Sequence, residues 1–147
     1  MGELPQALPR TVIAADHVRR HAPRAGIQKQ ATDLLQAAAG IESIAVSGGR
    51  AGVPPGSLRE LITLTGALAG RRWLRANAAS PAVETFTTLS TATRPPSLPA
   101  LDQILSALLW CRFSGPGAAG DAGRKAEDQL AASRLPRFRA RRHRATA

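Results

Sequence analysis

Apolar residues recur at helical spacing in three stretches of the chain. From Ile27 to Ala39, the positions Ile27, Ala31, Leu34, Leu35 and Ala38 lie at i, i+4, i+7, i+8 and i+11, one face of a 3.6-residue period. Gly40 follows where a helix stop is expected. Ser57 opens SLRE, a capping box in which the Ser57 hydroxyl accepts from the Glu60 amide while the Glu60 side chain reaches back. The helix it predicts carries Leu58, Leu61, Ile62, Leu68 and Trp73. Gly66 and Gly70 each cost that helix about 1 kcal/mol relative to alanine, and a break is expected before Arg71. The strongest stripe is Leu101, Ile104, Leu105, Leu108 and Leu109 within Pro99 to Phe113, with Ser97 as its cap. A weaker helix is expected in RTVIAADHVRRHA, ending near Ala22 because the residue before Pro23 is pushed away from helical geometry.

Two segments read as strands instead. IESIAVS, residues 41–47, is rich in β-branched residues and bounded by Gly40 and the Gly48-Gly49 pair. AVETFTTLSTAT, residues 82–93, alternates with Val83, Thr85, Thr87 and Leu89 on one face. Together they would make a two-stranded sheet, which is stable only when helices cover it. The expected fold is therefore mainly α, a small helical domain with flexible termini, and its variant is α+β with that one short sheet. The boundaries that follow are a flexible N-terminal segment 1–10, a single helix-rich domain 11–113, a linker and modest helix 114–133, and a disordered Arg-rich tail 134–147.

Composition narrows this further. The 147 residues leave room for one domain, and Leu, Ile, Val and Phe total 31, just above the roughly one-fifth share below which a charged chain stays unfolded. Lys plus Arg number 20 against 10 Asp plus Glu, a net charge of +10. Ala, Arg, Gly and Pro supply 71 residues, all with GC-rich codons, so part of the basicity reflects nucleotide bias. The start MGELPQALPRTV has no basic region followed by an apolar run, and Gln6 stands where a myristoylation site takes Ser or Thr. No apolar stretch reaches the roughly 20 residues of a membrane span. The single Cys111 cannot form an internal disulfide, which fits a reducing compartment, and the expected location is cytoplasmic.

Candidate chemistry concentrates at one end. Residues 134–144 hold Arg134, Arg137, Arg139, Arg141, Arg142, Arg144 and His143 with no acid. Such a segment can neutralise phosphates and release counterions, with Phe138 and His143 stacking on unpaired bases. SGGRAGVPPGS invites a phosphate-loop reading, but it lacks Gly-Lys-Ser/Thr, and about 20 positions on, Arg71, Arg72 and Arg75 stand in place of an acid. Ser47 loosely imitates a nucleophile elbow, yet a proline-rich loop follows it and the only downstream histidine is His143. His17 and His21 share a helix face but find no third ligand, so Asp16 and Arg20 forming an i, i+4 ion pair is the simpler reading of that turn. Cys111, inside LLWCRF, reads as a small core group.

No cofactor, metal or catalytic residue is expected. The chain reads as a small basic non-enzymatic accessory protein contacting nucleic acid or another polyanion, with Arg137, Arg139, Arg141, Arg142 and Arg144 as phosphate partners. Two alternatives stay open. One is a protein-interaction module whose amphipathic 99–113 helix presents Leu101, Leu105, Leu108 and Trp110 to a protein partner, although core packing is the first reading of that stripe. The other is a GC-rich reading frame without a selected function.

Overall fold

The computed structural model describes residues 7–47, 52–94 and 96–114. Six helices account for them: α1 (Pro9–His21), α2 (Ala25–Ser47), α3 (Pro55–Ala69), α4 (Arg71–Ala76), α5 (Pro81–Thr91) and α6 (Leu98–Phe113). No strand occurs among the described residues. The expectations for residues 115–133 and for the 134–147 tail fall outside them.

The two-stranded sheet is thus overturned. α2 runs through Gly40 and takes in residues 41–47. Its buried residues Ala31, Leu34, Ala38 and Ile41 continue one stripe past the glycine, so packing carries the helix over a residue that local propensity would stop at. In α5 the inward residues are Ala82, Val83, Phe86 and Leu89, a helical spacing hidden beneath the alternation of Val83, Thr85, Thr87 and Leu89. Thr88 and Thr91 donate their hydroxyls to the carbonyls of Glu84 and Thr87, four residues back. That bond satisfies the hydroxyl of a threonine held in a helix.

Helix ends follow proline more closely than the capping box suggests. α3 starts at Pro55, whose fixed φ and missing N–H fit the first helical position, with Pro54 as N-cap. Ser57 and Glu60 therefore lie inside the helix, as its third and sixth residues, and form no cap. The break before Arg71 is present: Gly70 adopts φ +96°, closing α3 and opening α4. Ser97 caps α6, its hydroxyl accepting from the Ala100 amide at 3.4 Å.

α6 is the axis of the molecule. It packs against α1, α3 and α5, while α2 bridges α1 and α3. Its buried residues Leu101, Asp102, Leu105, Ser106, Ala107, Leu108, Leu109 and Trp110 surround the helix rather than forming a single stripe. Residues 7–10, assigned from the sequence to a flexible N-terminal segment, pack instead: Leu8 is fully buried and Arg10 nearly so. Among the described residues no helix is long and apolar enough to cross a membrane. α2 has the length, but Lys29, Asp33 and Glu42 interrupt it.

Candidate functional site

The most tightly built polar site lies where α1 begins. A helix leaves its first amide groups without internal partners, and at α1 these belong to Leu8, Arg10 and Thr11, since Pro9 has none. The Leu8 amide donates to Glu42 Oε2 of α2 at 3.0 Å. The amides of Arg10 and Thr11 donate to Asp102 Oδ2 and Oδ1 of α6 at 3.1 and 2.7 Å. The Thr11 hydroxyl adds a bond to the Asp102 carbonyl at 3.3 Å, and the Arg10 guanidinium stands 4.0 Å from the carboxylate. Asp102 is 1 % exposed. Burial pushes its carboxyl above the ordinary value, against the lowering pull of the hydrogen bonds from Thr11 and Arg10 and of the Arg10 charge. Every acceptor oxygen of this carboxylate faces a helix terminus, so the site does structural work: it is a cap supplied from 91 and 92 residues away. In the sequence Asp102 is a single acid within the apolar 99–113 run, with nothing nearby to mark its role.

Two cations act in the same way at helix C-termini. Arg59 of α3 donates to the carbonyls of Ala92 and Thr93, just past α5. Arg112 of α6 donates from Nε to the carbonyl of Ala69, the last residue of α3, at 2.9 Å. Its guanidinium carbon lies 5.6 Å from the Trp73 ring centroid and 5.0 Å from that of Phe113.

The residues singled out from the sequence are placed as follows. Leu101, Leu105, Leu108 and Trp110 are all within 1 % of full burial and form part of the core against the neighbouring helices. They are not a free face in this fold. His17 and His21 do share a face of α1, with ring centroids 4.4 Å apart, and His17 lies 5.0 Å from the Trp110 ring. No group of three or more His, Cys, Asp or Glu side chains converges among the described residues. Asp16 pairs with Arg20 at 3.0 Å, as the i, i+4 spacing predicts, and also with Arg19 at 2.6 Å. Cys111, expected in the core, is exposed, with its Sγ 3.7 Å from the Ser80 hydroxyl. Trp110 takes the inward position beside it. Arg137, Arg139, Arg141, Arg142 and Arg144 lie outside the described residues.

Among the described residues the remaining positive charge is uneven. Asp16 serves Arg19 and Arg20, Asp33 serves Lys29, and Asp102 faces Arg10. On α4, Arg71, Arg72 and Arg75 are exposed and have no ion-pair partner among the described residues. An open groove of about 500 Å³ between α5 and the start of α6 holds Glu84, Arg94, Leu89 and Ile104, one charge of each sign on an aliphatic lining. That mixture selects no ligand class. No protein-family model, no curated protein and no solved structure matches this chain, so its chemistry is read from its own residues.

Proposed function

We propose that this is a small basic, non-enzymatic accessory protein that contacts nucleic acid or another polyanion through its Arg-rich segment 134–147. The observation that carries the reading is the run of six arginines and a histidine within residues 134–144, without one acidic residue to neutralise them. Arg137, Arg139, Arg141, Arg142 and Arg144 are the phosphate partners. Guanidinium groups suit this role because each presents a planar fork of donors matched to phosphate oxygens. The segment needs no fold of its own to act, since counterion release depends on charge brought close to phosphate.

Deleting residues 134–147 should abolish binding of a labelled single-stranded RNA at moderate salt. The six arginines of this segment alone contribute about −4 to the log–log salt slope on a single strand. Binding that survives the deletion with its slope unchanged would falsify the reading. A docking role for the 99–113 helix would first require opening the core, because Leu101, Leu105, Leu108 and Trp110 are enclosed.

A further inference from the structure

The described helices carry a basic face of their own, and it is organised. Successive helical residues are about 100° apart, so Arg71, Arg72 and Arg75 fall within one arc of roughly 100° on α4. Trp73 and Leu74 occupy the other side and pack on the core. The three arginines are exposed, and no carboxylate of the described residues pairs with them. Arg112 extends this face across Trp73. Its Nε is fixed on the Ala69 carbonyl and its guanidinium carbon stands near the Trp73 and Phe113 rings, while its terminal amino groups bond to no described residue. A guanidinium held in this way loses little further freedom when it meets an anion.

We infer that Arg71, Arg72, Arg75 and Arg112 form a second phosphate-contacting face, on which the backbone of a single-stranded nucleic acid lies. The inference rests on the nucleic-acid reading above. Phosphate is favoured by the number of unpaired forks in one place. A lipid surface is disfavoured because a membrane-lying helix needs apolar residues to insert, and on α4 those residues face inward.

The test uses the full-length chain and a labelled single-stranded RNA, with binding followed by fluorescence anisotropy over a range of salt. The variants are the triple substitution Arg71→Gln, Arg72→Gln, Arg75→Gln, the same three positions changed to Lys, and the tail variant with Arg137, Arg139, Arg141, Arg142 and Arg144 all changed to Gln. The Gln triple should reduce the magnitude of the salt slope by about 2, which over a fourfold rise in salt is a difference of about 16-fold in affinity. The Lys triple should keep most of the slope, because it keeps the charge, and far-UV circular dichroism should be the same for both triples. A Gln triple that binds as the unaltered chain does overturns the α4 face, and if the tail variant has then lost binding, the tail reading stands alone. No binding by the unaltered chain at low salt overturns both. Loss of binding to anionic vesicles without loss of RNA binding also overturns the inference, since the face would then serve lipid.

Discussion

Asp102 joins the two ends of the described chain. One carboxylate takes the Arg10 and Thr11 amides, and Glu42 takes that of Leu8, so these first backbone amides of α1 all have acceptors. Asp102→Ala would leave two buried amides without acceptors, a loss of about 2–6 kcal/mol at the usual figure for each unmade buried bond. The pH dependence has a definite sign. Burial raises the Asp102 carboxyl above its ordinary 3.8 in the folded chain. Protonation therefore favours the folded state, and that contribution is complete below the unfolded value and is lost as pH rises through the folded one. Urea unfolding of the unaltered chain and of Asp102→Asn at several pH values checks this. The stability of the unaltered chain relative to the variant should rise as pH falls from neutral toward 4. A difference that holds level or grows with pH would contradict the burial argument.

At the scale of the element, three glycines that look alike in the sequence have different roles. Gly40 lies inside α2 with open space where a Cβ would stand. Gly40→Ala should stabilise the protein by about 0.5–1 kcal/mol, the helix-interior difference between the two residues. At Gly66 a Cβ would come 3.1 Å from Phe86 Cζ, where α3 crosses α5. Its alanine variant should gain less than Gly40→Ala or lose stability, because the buried Phe86 ring must give way. Gly70 sits at φ +96°, a conformation that L side chains rarely adopt, so Gly70→Ala should be the most destabilising of the three. Thermal unfolding of the three variants checks the order, and equal effects would show that context does not matter at these sites. Local sequence also misleads in α5. Its threonines favour a strand by propensity, but Val83, Phe86 and Leu89 pack at helical spacing, and tertiary burial outweighs a propensity difference that spans only about 1 kcal/mol.

For the whole molecule, the position of α6 sets the expected order of opening. A helix enclosed by three others can open only when the core opens, whereas α4 has no buried residue and only six residues in all. Amide hydrogen exchange should therefore give residues 101–110 the strongest protection and residues 71–76 the weakest among the helices. Protection should run unbroken across Gly40. A boundary in protection at residue 40, or rapid exchange through α6, would argue against this packing.

The helical stripes in α2, α3 and α6, the break at Gly70, the Ser97 cap and the Asp16–Arg20 pair were all legible in the sequence. Each depends on residues within a few positions of one another, where periodicity and backbone sterics act directly. The basic excess and the run of arginines at 134–144 are likewise properties of the sequence alone. What only the tertiary structure decided depends on groups distant in the chain. Asp102 and Glu42 at the head of α1, and Arg59 and Arg112 at the tails of α5 and α3, satisfy helix ends that no neighbouring residue could reach. The same holds for the enclosure of α6 and for the absence of an ion pair to Arg71, Arg72 or Arg75 among the described residues. Local spacing determines which residues share a helix face, but what that face meets is determined by the packing of the other helices.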